Sequence, residues 1–167
     1  VSVVVWNAQA FFTTNDVKFA AQIGYLHQLL AKYDVVVVVE AHVTDGGAKV
    51  WRPPSGCSAW WSAGPTAGSA GVGIVIKDSF PCNFENWPVW TAMWPGRAAK
   101  LAMRGSQGAL DIWATNFYTG AEITQNDLHG AVPGYEQRCT TFPALREHMG
   151  YRLGRAIVHR NSVLSIV

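Results

Sequence analysis

The sequence predicts a layered α/β fold. Three observations carry this: five consecutive valines at 35–39, a strand, helix, strand unit that opens the chain, and a later series of short apolar segments separated by glycine and proline turns. With 49% hydrophobic and 12% aromatic residues, the 167-residue chain holds enough apolar mass for one core, which excludes a disordered chain. Only 14% of residues are charged, so either the surface is unusually apolar or part of it is covered. A net charge of +2 is too small for the basic stripe of a dedicated nucleic-acid binder, so charge decides nothing. Residues 1–167 read as a single domain, with no repeat or linker.

The elements follow in order. SVVVW at 2–6 is a strand by composition and gives out at Asn7. Asn15 or Asp16 supplies a helix N-cap, and Phe19, Ile23, Leu26 and Leu30 recur on one face, predicting an amphipathic helix over 15–32. The valine strand then runs into Glu40, completing a unit long enough for a parallel crossover. A glycine and proline loop follows. Further strands are predicted at 57–62, 71–77, 97–104 and 109–118, with a hairpin turn at 105–108. WPVWTAMW at 87–94 reads as core or covered surface, with base stacking as the other reading. The pattern at 136–159 is helical, with Phe142, Leu145 and Met149 on one face, and SVLSIV at 162–167 reads as a buried strand.

Cys57, Cys82 and Cys139 form no C-x-x-C pair, so they read as reduced thiols in an intracellular, reducing compartment. No apolar stretch approaches a membrane span, and the chain reads as soluble. Glu40 with His42 lacks a third zinc ligand at a recognisable spacing. The glycines of SAGPTAGSAGVG precede no Gly-Lys-Ser/Thr, so a Walker loop is excluded.

Two strands end in oxygen-bearing side chains, Asn7 and Glu40. If they are parallel neighbours, both emerge at the sheet edge where open α/β folds place ligands, and an amide and a carboxylate there suit Mg²⁺. The bland alternative is that Asn7 caps a turn and Glu40 pairs with a surface base. On the strand 109–118, Asn116 and Tyr118 fall on one face, where an amide and a phenol could grip a phosphate oxygen or orient a water.

WNAQ at 6–9, the strand into Glu40, SAGVGIVIKDSF at 69–80, GRAAKLAM at 96–103 and ALDIWATNFY at 109–118 together resemble the successive motifs of the endonuclease/exonuclease/phosphatase superfamily. They are most similar to its retrotransposon-encoded apurinic-type endonucleases. The resemblance implies a DNase I-like α/β sandwich of two sheets, of which this chain is expected to hold mainly the first mixed sheet with flanking helices. It implies Mg²⁺-dependent phosphodiester cleavage of DNA, with Glu40 and Asn7 at the metal, and Tyr118 and Asn116 as catalytic residues. Arg97 is expected to support structure. Val39 stands where the family has glutamine, and Thr119 and Gly120 follow the tyrosine where it often has proline. The later Gly-Asp-x-Asn and Asp-His motifs are not found in residues 119–167. The chain is therefore expected to be C-terminally truncated and catalytically incomplete, with an open sheet face that its missing half or other protein subunits would cover. A non-catalytic structural or interaction subunit is the alternative function.

Overall fold

The computed structural model describes residues 1–64, 70–80, 87–106, 108–116 and 164–166. Its elements are β1 (Val3–Asn7), α1 (Asp16–Lys32), β2 (Val35–Val39), α2 (Asp45–Val50), β3 (Cys57–Ser62), β4 (Val72–Lys77), β5 (Val89–Trp94), β6 (Ala98–Gly105), β7 (Gly108–Thr115) and β8 (Leu164–Ile166). They form two four-stranded sheets, one in the order β1-β2-β4-β3 and one in the order β5-β6-β7-β8. β1 and β2 are parallel in the register Val3↔Val35 to Asn7↔Val39, as the opening unit predicts.

The valine run lies in the middle of the first sheet and alternates between two cores. Val35 and Val37 point into a cluster shared with Leu101, Met103 and Ile112 of the second sheet. Val36 and Val38 point into another built from α1 and the loops, with Leu26, Leu30 and Phe11. A strand buried on both faces has no use for polar alternation, which is why this segment is all valine. Each fully buried valine contributes roughly 1.5–3 kcal/mol over an exposed one.

α1 fits its predicted span. Asn15 caps it, its side chain accepting from the Lys18 N–H at 2.9 Å, and Asp16 in the first turn and Lys32 in the last suit the helix dipole. Its buried face is Leu26, Leu29 and Leu30.

The expected layered α/β sandwich is present, and this chain itself supplies a second four-stranded sheet. Ala99, Leu101 and Met103 of β6 and Leu110, Ile112 and Ala114 of β7 cover the first sheet's inner face within this same chain. The low charge content thus reflects a sheet buried on both sides. On the other face of β6 and β7, Asp111 is buried between two cations, 2.6 Å from Arg104 Nη1 and 3.8 Å from Lys100 Nζ. Lys100 also lies 5.5 Å from the centre of the Trp113 ring.

The stretch at 87–94 is part core, through Trp94 and Trp90, and part exposed surface. It supplies the edge strand β5, with Trp94 buried and Trp87 and Val89 well exposed. DGGAKV, expected as loop, forms the short helix α2 because the Thr44 hydroxyl accepts from the Gly47 N–H at 2.9 Å. The predicted turn at 105–108 is matched by a hairpin register that pairs Gly105 with Gly108. The predicted helix 136–159, Cys82 and Cys139 lie outside the described residues, whereas Cys57 is a free, half-buried thiol whose burial raises its pKa. Among the described residues no helix is long and apolar enough to cross a membrane.

At the edge where β1 and β2 begin, Asp34 Oδ2 accepts from the backbone N–H of Ser2 at 2.8 Å and from its hydroxyl at 2.9 Å. These bonds hold the Asp34 carboxyl below its ordinary value of 3.8. A depressed carboxyl contributes stability above the unfolded-state pKa and loses it as pH falls through the folded one. Asp34→Ala is therefore expected to melt lower than the unsubstituted chain at pH 7, the gap shrinking once pH falls below 3.8. Melting curves across pH 2–7 check this, and a gap independent of pH contradicts it.

Candidate active site

The opposite edge of the first sheet gathers the polar strand ends. Asn7 is the last residue of β1 and pairs with Val39, so Glu40 is the first residue beyond the neighbouring strand. The antiparallel pairings Val39↔Val72 and Ser62↔Val72 bring the start of β4 and the end of β3 to the same edge.

Backbone hydrogen bonds extend this edge to the second sheet. The Ala41 N–H donates to the Gly71 carbonyl at 3.0 Å, and the Gly71 N–H donates to the Gly96 carbonyl at 3.0 Å. One residue further, the Arg97 carbonyl accepts from the Asn116 N–H at 2.8 Å. The buried Ser62 hydroxyl accepts from the Gly96 N–H at 2.9 Å. This relay leaves little room. A Cβ on Gly96, where φ is +68°, would come within 2.5 Å of Gly64 Cα, and one on Gly71, where φ is +95°, would meet the His42 nitrogen at 3.0 Å. Both positions require glycine.

The same edge holds every non-glycine residue with positive φ among the described residues: Gln9 and Ala10 after β1, Glu40 and His42 after β2, and Ala70 before β4. Each costs on the order of 1 kcal/mol and persists because neighbouring bonds impose it. The Glu40 carbonyl accepts from the Ala10 N–H at 2.8 Å, and the Ala41 carbonyl from the Phe12 N–H at 2.9 Å, so the loops after β1 and β2 hold one another. Gln22 Nε2 and Lys18 Nζ of α1 add bonds to the Ala8 and Gln9 carbonyls at 2.6 and 2.7 Å.

The predicted residues can now be placed. Asn7 is exposed, and its Oδ1 accepts from the Gln9 N–H at 3.1 Å, a local turn bond that leaves the oxygen a second lone pair. Glu40 is half-exposed at φ +52°. Asn116 is buried at 8% exposure, and its Nδ2 has no hydrogen-bond partner among the described residues. Leaving such a buried donor unmade costs about 1–3 kcal/mol. β7 ends at Thr115, so Asn116 stands just beyond the strand. Tyr118 lies outside the described residues. Arg97 is buried at the turn into β6, in keeping with a supporting place.

Ser62 was not read from the sequence, and His42 was weighed there only as a zinc ligand beside Glu40. Ser62 fastens the second sheet to the edge, and an isolated serine at a strand end carries no distinguishing signal. His42 stands two residues beyond Glu40, its N–H donating to the Ala70 carbonyl at 2.8 Å. Burial lowers the imidazole pKa, with the Glu40 carboxylate opposing and Lys18 adding to the shift. Among the described residues no three His, Cys, Asp or Glu side chains cluster, so no zinc-type centre is present there.

No family model matches the chain, and no curated protein matches it. Solved structures do. The AP endonuclease LMAP from Leishmania major aligns over 88% of this chain and 47% of its own, with a TM-score of 0.59 and 15% identity. This chain shares that structure's fold over the part it spans. The likeness at that identity establishes the fold, and the chain spans about half the length of the AP endonuclease it matches. The 3′ phosphatase NExo from Neisseria bound to a product DNA hairpin aligns at a TM-score of 0.49 and 17% identity, over 92% of this chain and 53% of that one. The APE2 catalytic domain of Xenopus laevis aligns at 0.49 and 14%, over 72% and 46%. The two-sheet layered α/β arrangement of this chain is the one that the strand motifs implied.

Within it, the strain at Glu40 separates function from stability. Glu40→Gly removes the side-chain clash at φ +52° and is expected to stabilise the chain by up to about 1 kcal/mol, whereas Glu40→Ala keeps the strain and gains nothing. Chemical denaturation of both variants measures the difference, and a glycine variant no more stable than the alanine variant refutes it.

Proposed function

We propose that this chain carries the metal and phosphate-binding edge of a Mg²⁺-dependent phosphodiesterase that acts on DNA. The observation that supports the reading is the set of backbone hydrogen bonds that ties together the strand ends bearing Asn7, Glu40 and Asn116, in a chain that shares the fold of an AP endonuclease.

The donor set fits the ion. Mg²⁺ keeps several waters and takes one or two carboxylates together with substrate oxygens, so a half-exposed carboxylate flanked by an amide oxygen suits it. Glu40 would hold the ion, with Asn7 Oδ1 beside it. When bound, Mg²⁺ withdraws charge from a phosphodiester oxygen and so favours in-line attack by water.

The chain's own residues position and neutralise. β2, buried on both faces, fixes where the Glu40 carboxylate stands, and the positive φ of Glu40 is held by hydrogen bonds on either side. Asn116 offers a partnerless, desolvated amide N–H to a phosphate oxygen, where a preorganised donor is worth far more than in water. Tyr118, two residues on, would add a neutral phenol donor to the same phosphate.

A second reading, a non-catalytic interaction protein of the same fold, is favoured by one observation: Glu40 stands without a cluster of further carboxylates or histidines among the described residues. Cleavage of plasmid and abasic-site DNA by this chain decides between them. The enzyme reading expects cleavage that needs Mg²⁺ and stops with EDTA. Glu40→Gln should reduce the rate at least about a hundredfold and Asn116→Ala about ten- to a hundredfold. Cleavage that survives EDTA or Glu40→Gln contradicts the reading, and no cleavage in Mg²⁺ favours the second.

A further inference from the structure

A cavity of about 610 Å³ opens beside the candidate site, between the loop after β1 and the loop and helix after β2. Its volume falls within the roughly 300–1,000 Å³ of small-ligand sites. Phe12, Phe19 and Trp51 supply aromatic walls, and His42, Thr44 and Arg52 supply polar groups. His42 is a wall of this cavity and stands two residues from Glu40, so the cavity and the candidate metal site share one loop.

The aromatic walls are fixed in place. The Trp51 ring packs edge-on against Phe12 at 6.1 Å and against Phe11 and Trp61, each at 5.5 Å between centroids. Such a ring offers a flat apolar surface without the entropy cost of ordering it on binding. At the rim, Arg52 is exposed, and its hydrogen bonds to the Lys49 and Trp51 carbonyls both run from Nη1. The rest of its fork remains available to an anion. Val50, on the exposed end of α2, completes the apolar mouth.

An apolar aromatic slot with one guanidinium at its rim matches a planar ring attached to a phosphate. We propose that this cavity binds an unpaired nucleobase of the substrate strand, stacked on Trp51, with Arg52 meeting an adjoining phosphate. The inference rests on the phosphodiesterase reading for its substrate and goes beyond it by naming what the strand must present. An unpaired base enters the slot, whereas a base held within a duplex stack does not reach it without unstacking. Base-on-aromatic stacking accounts for an affinity gain of roughly five- to a hundredfold for each base so placed.

The test uses the whole chain labelled with ¹⁵N and two probes, 2′-deoxyadenosine 5′-monophosphate and ribose 5-phosphate, without divalent metal. The nucleotide is expected to shift the Trp51 indole N–H and the amides of residues 12–14, 42–44 and 47–52 in a saturable way. Ribose 5-phosphate should bind at least fivefold more weakly. Trp51→Leu, which keeps apolar volume, should lose that discrimination. Arg52→Ala, at an exposed position, should weaken both probes and keep the preference for the base. Equal binding of the two probes, or shifts confined to the exposed Trp87 and Val89 region, overturns the proposal. If Trp51→Leu fails to fold, the comparison of probes on the unsubstituted chain and on Arg52→Ala still decides. Base binding without DNA cleavage would leave the cavity standing and remove the enzyme reading, and cleavage without base binding would do the reverse.

Discussion

Everything at the candidate site depends on β2 having no solvent face. Its valines are shared between the inter-sheet core and the core beneath α1, so the strand can neither slide nor rotate without exposing one set or the other. The fourth valine is fully buried and the fifth only partly, so the strand leaves the core within a single residue and Glu40 is the first side chain beyond it. Five valines followed by an acid thus describe a rigid support that delivers a carboxylate to an edge.

The price of that delivery is visible in the backbone. Among the described residues, positive φ at Gln9, Ala10, Glu40, His42 and Ala70 marks one edge of one sheet, while at the opposite edge, closed by Ser2 and Asp34, positive φ falls to a glycine, Gly56. Ordinary loops resolve such strain by taking glycine or asparagine. At the candidate edge, glycine takes positive φ where backbones nearly touch, at positions 71 and 96, and side chains are retained at the other positive-φ positions. A glutamate at φ +52° and an asparagine whose buried amide has no partner among the described residues are both costly, and neither cost is offset by a side-chain hydrogen bond seen there.

Much of this was legible in the sequence, for identifiable reasons. α1 announces itself by an asparagine cap and a 3.6-residue apolar spacing, and the parallel pairing of β1 and β2 follows from the length of the crossover between them. Asn7 and Glu40 were legible because each directly follows an apolar strand. What could not be read was how the second sheet packs on the first. β6 and β7 each carry a buried charged residue on one face, Lys100 and Asp111, which lowers their apparent hydrophobicity, and nothing local says that their other face closes over the valines. β5 was hidden for the opposite reason, since its tryptophans suggest a core while the strand lies at an edge. Asn116 was assigned to a strand face; β7 ends at Thr115, and the Asn116 N–H carries the register with β6 one step further by donating to the Arg97 carbonyl at 2.8 Å. Its unpaired amide is a tertiary property with no sequence signature.

The central claim is that one edge of this fold gathers the groups of a single metal and phosphate site. Titration with Mn²⁺ in place of Mg²⁺ tests it most directly, because a bound paramagnetic ion broadens nearby amide resonances according to distance. The account predicts that Asn7, Glu40 and Ala41 broaden first, with Gly71, Gly96 and Asn116 following at higher occupancy, and that excess Mg²⁺ restores them. Broadening centred on the exposed carboxylates of Asp16 or Asp45, with the residues of the edge unaffected, would contradict it.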